Sequence, residues 1–256
     1  MWWIWLPQPQ QSLIVPIFLT DNCDFGAQVC YCYKIVLTSP TDTETKSLRR
    51  MYQVMDMQNL DKSLFSISHP TQAPRCGDML VAEPFLREEY FNHAVITLIE
   101  YRPGSPAMGL VLNKPTGYTL GEAIEGIDDG VAVPIFCGGP LSCDRLFYIH
   151  SLPHEFSGSR KVAPGVYVGG DFDRVKAYVN MGFDTDGKIR FFVGYSGWDP
   201  SQLEEEIANH VWAVTPPASA EVTLSHQDDS FWHRTVKSMG APYRNWLYHP
   251  ANPQLN

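Results

Sequence analysis

The hydrophobic pattern of the chain predicts a series of short strands after about residue 75. Runs rich in Val, Ile and Leu, each bounded by Pro, Gly or Asn, recur along this part of the sequence. The predicted strands are Met79–Ala82, His93–Tyr101, Met108–Leu112, Val133–Cys137, Arg145–Ser151, Val166–Val168 and Val211–Val214. The segment Pro103-Gly104-Ser105-Pro106 is a turn sequence, so an antiparallel hairpin is expected between the second and third strands.

Helices are predicted where capping residues precede apolar positions at helical spacing. Thr119 and Glu122 form a T-x-x-E capping box, which opens a short helix that Gly126 ends. Asp171 is expected to cap a helix that runs through Val179 with its apolar side chains on one face. Two further helices are predicted over Ser201–Asn209, with Asp199 as the N-cap, and over Ser230–Met239.

One strand is expected to lie at the centre of the sheet. Lys188–Tyr195 is almost continuously apolar, which is typical of a strand covered on both faces. No internal repeat or linker divides residues 60–248. The mixture of strands and helices therefore predicts one α+β domain.

Residues 1–57 differ from the rest of the chain. They contain three of the seven Trp and three of the six Cys, and no helical or strand period runs through residues 1–50. The apolar stretch Leu13–Leu19 is broken by Pro16, and no Lys or Arg precedes it. It is therefore a poor match to a secretory signal peptide.

We expect residues 1–57 to be an over-extended reading frame or a disordered segment. The candidate start codons are those of Met51, Met55 and Met57. The domain would then comprise residues 58–256, with its core at about residues 75–240.

Composition and charge exclude several classes of protein. The 44% of hydrophobic and 18% of charged residues are globular proportions. There are 19 Lys and Arg against 28 Asp and Glu, a formal charge of −9, and an acidic surface repels nucleic-acid phosphates. No run approaches the roughly 20 apolar residues of a membrane helix, so no membrane association is expected.

The cysteines and histidines do not predict a metal site. Cys30 and Cys32 form a C-x-C pair within the N-terminal segment, whereas Cys76, Cys137 and Cys143 lack paired spacing. The one closely spaced pair of histidines has a proline between its members, which prevents their alignment on a helix. We predict no metal and no other cofactor, and expect free thiols in a cytoplasmic protein.

A phosphate-binding loop is suggested by spacing alone. Gly182–Lys188 matches G-x-x-x-x-G-K, but Ile189 stands where a magnesium-binding Ser or Thr belongs. This loop also joins a helix to a strand, the reverse of a phosphate loop. An ordinary turn is predicted here.

A serine nucleophile is the alternative function that the sequence leaves open. Gly194–Trp198 begins like the elbow G-x-S-x-G, but its second Gly falls one position early. A hydrolase or acyl-transfer enzyme would use Ser196 with His150 as its base. The simpler interpretation is a tight turn that leads to the helix capped by Asp199.

Three motifs in a fixed order resemble the AlgH/YqgE family of bacterial proteins. They are Gly109-Leu-Val-Leu-Asn113-Lys114-Pro115, then Gly138-Gly139-Pro140, then Gly194-Tyr195-Ser196-Gly197-Trp198 followed by Gln202-Leu-Glu204 and Glu206-Ile207. The resemblance spans about residues 60–240 and identifies residues 58–256 as an AlgH/YqgE-like domain. It implies a single α+β domain with a strongly bent, branched, mixed or antiparallel sheet that approaches a barrel, helices packed on that sheet, and a cytoplasmic location.

The resemblance does not imply any particular enzymatic reaction, because no biochemical activity is established for the family. Members of the family are described as transcriptional regulators, but residues 58–256 carry 15 Lys and Arg against 23 Asp and Glu, and no basic helix could enter a groove of DNA. We therefore expect a non-enzymatic regulatory or binding protein that acts without direct DNA contact. Its partner would be another protein or a small molecule.

The motif loops are predicted to converge on one shallow groove. The candidate ligand-binding residues are Asn113, Lys114, Pro115, Gly138, Gly139, Pro140, Ser196, Trp198 and Gln202. Together they provide side-chain amides, the positive charge of a lysine, glycine backbone that a ligand can approach closely, and an aromatic side chain. This mixture is typical of small-molecule sites. The competing interpretation is that these residues only fix turns and strand ends.

Overall fold

Ten strands of one sheet dominate the computed structural model, which describes residues 69–249 except Glu89 and Asp229. The strands are β1 (Met79–Ala82), β2 (Val95–Glu100), β3 (Ala107–Val111), β4 (Pro115–Thr119), β5 (Pro134–Cys137), β6 (Leu141–His150), β7 (Arg160–Ala163), β8 (Val166–Val168), β9 (Ile189–Trp198) and β10 (Trp212–Thr215). The helices are α1 (Leu120–Ala123), α2 (Phe172–Asn180), α3 (Gln202–Ala208), α4 (Ala220–Leu224) and α5 (Ser230–Ser238), followed by a 3₁₀ helix (Ala241–Tyr248). The predictions about residues 1–57 lie outside the described residues.

The sheet is curled into a half-barrel and branches at β9. Its main path runs β10-β1-β2-β3-β9-β6-β8-β7, and every pair along it is antiparallel. A side branch leaves β9 through the parallel strand β5, which pairs in turn with β4. The α+β class and the bent, mixed sheet with helices on it are therefore confirmed.

Strand β9 holds the centre of the sheet, as the sequence predicts. The side chains of its first four residues, Ile189 to Phe192, are buried on both faces. The strand continues to Trp198, because Ser196 pairs with Gly109 and Trp198 with Ala107 of β3. The prediction of a tight turn at Gly194–Trp198 is wrong, since Gly194, at a φ of +69°, bends the strand without ending it.

The predicted hairpin is confirmed by the antiparallel pairing of β2 with β3. Strands β4 and β7 are absent from the prediction. The sequence of β4, Pro-Thr-Gly-Tyr-Thr, has no apolar alternation, and all five of its residues are exposed or half-buried. Tertiary pairing with β5, and not local pattern, makes it a strand.

The helix starts show how well capping residues predict boundaries. The carboxylate of Asp171 accepts the backbone N–H groups of Asp173 and Arg174, as expected for the cap of α2. The prediction that Asp199 is the N-cap of α3 is wrong. Ser201 occupies that position at a φ of +67°, so the chain becomes helical only at Gln202. The Gln202 side chain accepts the N–H of Asp199 at 2.9 Å, which preserves one half of the expected capping interaction.

Apolar side chains form three clusters around β9 and its neighbours. One cluster lies within the curl and includes Phe192, Trp232 and Trp246. A second lies between the sheet and α3, and a third between the sheet and α2. Phe191 belongs to the third cluster and Phe192 to the first, so the two faces of β9 are covered by different layers.

Candidate functional site

The Gly-Gly-Pro motif forms a crossing over the central strand. Strands β5 and β6 both pair with residues 191–193 of β9, so they lie on its opposite edges. The link between them is only three residues long, and it therefore passes over β9. A Cβ atom at Gly138 would lie 2.3 Å from the Gly194 oxygen, and one at Gly139 would lie 2.4 Å from the Tyr195 carbonyl carbon. Only glycine allows this approach of two backbones.

Ser196 lies under this crossing and is fully buried. Its hydroxyl donates a hydrogen bond to the Gly138 carbonyl at 3.0 Å, and the same carbonyl accepts the N–H of Val111. The serine thus joins β9 to the crossing. It is not exposed for attack on a substrate in this arrangement.

His150 is far from Ser196. It pairs with Ile189, seven residues along β9 from the serine, a separation of roughly 23 Å at ~3.3 Å per residue. Its Nδ1 accepts the N–H of Leu152 at 3.0 Å, and its Nε2 lies 3.0 Å from the Gly169 carbonyl. Burial lowers the pKa of His150 below 6.5. The serine–histidine contact that the hydrolase alternative requires is not formed here.

Asn113 is buried and holds the entry to β2. Its side-chain oxygen accepts the N–H of Val95 at 2.9 Å, and its side-chain nitrogen donates to the carbonyl of His93 at 2.8 Å. Both ends of the amide are therefore bonded to the backbone of one neighbouring segment. This arrangement fixes the start of β2, and it leaves the Asn113 amide little hydrogen-bonding capacity for a ligand.

Trp198 and Gln202 meet at a single carboxylate. Glu206 accepts the indole N–H groups of Trp198 and Trp212 at 2.8 and 2.7 Å, and the amide of Gln202 at 2.8 Å. Three donors from β9, β10 and α3 thus converge on one side chain. This cluster fixes α3 to the edge of the half-barrel.

The nine residues that were predicted to line one groove therefore lie in several different parts of the fold. Gly138, Gly139 and Ser196 contact one another, while Trp198 and Gln202 share Glu206. Lys114 is half-buried, and Pro115 and Pro140 are exposed. Neither of the two cavities described below is lined by any of the nine. Their part in ligand binding stays a prediction, and their internal hydrogen bonds support the competing structural interpretation.

A small cavity of about 170 Å³ lies where β2 ends beside β7. Its lining residues are Cys76, Glu100, Tyr101, Arg102 and Arg160. The Tyr101 hydroxyl donates to Glu204 at 2.9 Å, and burial together with this carboxylate raises the pKa of Tyr101 to about 12. Both arginines are exposed, and no ion pair formed among the described residues includes either of them.

Sequence reasoning missed this cavity because no motif connects its residues. Arg102 follows β2 and Arg160 begins β7, so they are distant in the sequence and meet only through the curl of the sheet. The one basic residue next to either of them, Lys161 after Arg160, is too little local charge to single them out. No local signal was available.

A second cavity, of about 420 Å³, is wide and shallow. It lies between residues 130–133 and the end of α2, with Phe183 at its edge. Phe183 is 54% exposed and its neighbour Met181 is 71% exposed. Exposed apolar side chains that are grouped, and not scattered singly, mark surfaces that contact other proteins, where aromatic residues and Met are enriched.

Comparison with known proteins identifies the family. The family model described as AlgH-like matches residues 79–244, which are most of the described fold. The chain belongs to the AlgH-like family. A UPF0301 protein of Parabacteroides distasonis is 38% identical over 196 residues, which cover 76% of this chain and 98% of that protein. A UPF0301 protein of Bacteroides fragilis is 34% identical over 198 residues, covering 77% of this chain and the whole of that protein.

Solved structures agree with the AlgH-like fold. The solution structure of the AlgH protein from Pseudomonas aeruginosa covers 68% of this chain and 94% of its own, with a TM-score of 0.55 and 22% identity. A crystal structure of a Corynebacterium diphtheriae protein covers 70% of this chain and 94% of its own, with a TM-score of 0.55 and 20% identity. These likenesses concern the fold. In the part of this AlgH-like chain that the structure describes, each helix is too short or too polar to cross a bilayer.

Proposed function

We propose that this AlgH-like protein is a cytoplasmic, non-enzymatic binding protein that recognises a small anionic molecule and acts without direct DNA contact. The observation that carries the proposal is the cavity lined by Arg102 and Arg160. Two exposed arginines line this one concave position, although the chain as a whole has a net charge of −9. A carboxylate or phosphate group is the ligand chemistry that paired guanidinium groups favour.

The other lining groups limit what the ligand can be. Glu100 places one negative charge in the same cavity, and Glu204 holds the Tyr101 hydroxyl at its edge. A ligand with many negative charges would be repelled by these carboxylates. We therefore expect a compact group with one or two negative charges, which also suits a cavity of about 170 Å³.

The experiment uses Cys76 as a reporter, because its thiol lines the cavity. The full chain is alkylated with iodoacetamide in the presence of acetate, inorganic phosphate or pyrophosphate, with sodium chloride as the ionic-strength control. Peptide mass spectrometry follows each cysteine separately. We expect at least one of these anions to slow alkylation of Cys76 several-fold while alkylation of the exposed Cys143 is unchanged.

Two variants test the role of the arginines. Protection should be lost in Arg102→Gln and in Arg160→Gln, and should persist in Arg174→Gln, whose side chain forms an exposed ion pair with Asp171 on α2. A bound anion at about 100 times its dissociation constant should also add about 2.7 kcal/mol to the free energy of unfolding. Equal protection in the Arg102 and Arg160 variants would contradict the proposal.

A protein partner is the second candidate, and the exposed Phe183 and Met181 beside the second cavity favour it. If no anion protects Cys76 or stabilises the fold, the small-anion proposal fails. Binding of a protein partner through Phe183 and Met181 is then the function that the structure supports.

A further inference from the structure

Two cysteines flank the glycine crossing and approach the same backbone oxygen. Cys137 ends β5, and its sulfur lies 3.8 Å from the Gly139 carbonyl oxygen. Cys143 lies in β6, and its sulfur lies 3.7 Å from that oxygen and 3.3 Å from the Pro140 carbonyl oxygen. The sum of the two distances to Gly139, about 7.5 Å, is the upper limit of the separation of the sulfurs.

The surroundings leave room for the sulfurs to come closer. The crossing passes above Gly194, which has no side chain, and the Cys143 sulfur lies 3.5 Å from the position that a Cβ of Gly194 would occupy. Pairing of β6 with β9 is interrupted between Leu141 and Leu146. Cys143 therefore lies in a segment that is not held by regular pairing to β9, and its side chain is exposed.

We propose that Cys137 and Cys143 are a redox modification site, at which a hydroperoxide converts the two thiols into a disulfide that closes the Gly138–Pro140 crossing. This inference is independent of the anion site. Strands β5 and β6 lie on opposite edges of β9, and strands two places apart in a sheet are separated by roughly 9 to 10 Å. A disulfide requires the two Cα atoms to lie within about 7 Å, so the bridge needs a shift of the Cys143 segment towards Cys137.

The chemistry balances with a hydroperoxide as the oxidant. The exposed Cys143 sulfur, as its thiolate, attacks the O–O bond, which forms a sulfenic acid and releases one molecule of water or alcohol. The Cys137 thiol loses its proton, its sulfur attacks the sulfenic sulfur, the S–S bond forms as the S–O bond breaks, and the departing hydroxide takes up that proton and leaves as water. Two electrons pass from the two thiols to the peroxide. A small dithiol or glutathione reverses the step by thiol–disulfide exchange.

Exposure makes Cys143, and not the half-buried Cys137, the thiol that a peroxide meets first. Burial raises the pKa of the Cys137 thiol, so the second step should accelerate as the pH rises, because the thiolate is the attacking form. Cys76, about 60 residues away in the sequence, lines the arginine cavity and supplies an internal comparison. Its thiol has no cysteine partner among the described residues.

The test treats the full, reduced protein with hydrogen peroxide and then blocks the remaining thiols with N-ethylmaleimide. Trypsin leaves both cysteines in the peptide that ends at Arg145. We expect this peptide to lose two hydrogen atoms and both alkylation sites, and to regain both after treatment with dithiothreitol.

Single substitutions separate the two roles. In Cys137→Ser, Cys143 should accumulate as a sulfenic acid that dimedone traps. In Cys143→Ser, Cys137 should stay reduced, and Cys76→Ser should leave the disulfide unchanged. Far-ultraviolet circular dichroism of the reduced variants establishes that they are folded. Oxidation of Cys143 to a sulfinic acid in the folded wild type, or its pairing with a different cysteine, would overturn the proposal.

Discussion

A single buried amide shows how much of this fold depends on one residue. Asn113 satisfies the N–H of Val95 and the carbonyl of His93, and its side chain is fully buried, so bulk water does not reach these bonds. We predict that Asn113→Ala lowers the free energy of unfolding by about 1 to 3 kcal/mol for each backbone group left unpaired. Urea denaturation measures this loss. The matched control is Asn209→Ala at the exposed end of α3, which should change stability by less than about 0.5 kcal/mol.

His150 should make the stability of the protein depend on pH. The N–H of Leu152 donates to its Nδ1, which places the proton on Nε2 and keeps the folded ring neutral, and burial lowers its pKa below 6.5. The unfolded chain therefore binds more protons than the folded chain as the pH falls through about 6.5. We predict that the free energy of unfolding decreases from pH 7 towards pH 5.

The measurement is a series of urea denaturation curves across this range. His150→Gln should flatten the pH dependence, whereas the exposed His154→Gln should not. Burial also lowers the pKa of His69, so a smaller slope should remain in the His150 variant. An unchanged slope in His150→Gln would show that other groups control the dependence.

At the residue scale, important positions could be identified from the sequence, but the groups that they contact could not. Ser196 and Asn113 stood out as members of motifs, yet their partners lie 58 and about 20 residues away in the chain. Arg190, in contrast, belongs to no motif, and the hydrophobic pattern gave no reason to single it out, because it lies within the most apolar strand, β9. It is fully buried, donates to the carbonyls of Thr223 and Leu112, and lies 4.0 Å above the Phe136 ring. Only the curl of the sheet brings those partners together.

At the element scale, the crossing of β5 to β6 over β9 depends on Gly139. A Cβ there would lie 2.4 Å from the Tyr195 carbonyl carbon and 2.5 Å from the Ser196 nitrogen, both in the backbone of the central strand. We predict that Gly139→Ala lowers the free energy of unfolding by about 3 kcal/mol or more, since neither strand can move aside. Urea denaturation or the yield of folded protein measures the effect.

A matched glycine distinguishes this close approach from ordinary backbone strain. Gly187 also has a positive φ, of +65°, but no atom lies within 4 Å of the position of its Cβ. Gly187→Ala should therefore cost only about 1 to 2 kcal/mol, the strain of a left-handed residue with a side chain. Similar losses in the two variants would mean that the crossing tolerates a methyl group.

Elements with a strong local signal could be predicted, and elements made by pairing could not. Helix α2 has a cap and an apolar stripe, and β9 has a continuous apolar run, so both were placed within a few residues. Strand β4 and the 3₁₀ helix after α5 have neither signal. The segment Gly194–Trp198 was placed in a turn because its glycines indicate one, whereas pairing with β3 keeps it in the sheet.

At the scale of the whole described fold, the branched half-barrel determines where the motif residues and the two cavities lie. The family motifs are used largely inside the fold, at the crossing and at Glu206. The two cavities lie elsewhere, on segments that the motifs do not include. A site assembled from distant segments cannot be predicted from spacing along the chain. This explains why the fold could be predicted from the sequence while the arginine cavity could not.

Net charge leads to the last prediction, which concerns nucleic acid. Phosphate contacts supply most of non-specific DNA affinity, and this chain carries nine more acidic than basic residues. Its exposed arginines at the small cavity are accompanied by Glu100, so they do not form a basic surface of the size a duplex needs. We predict no half-saturation of a labelled duplex below about 10⁻⁴ M protein at about 0.15 M salt in fluorescence anisotropy. Tighter binding that weakens steeply with added salt would contradict this prediction, and a regulatory role through direct DNA contact would then replace the one proposed here.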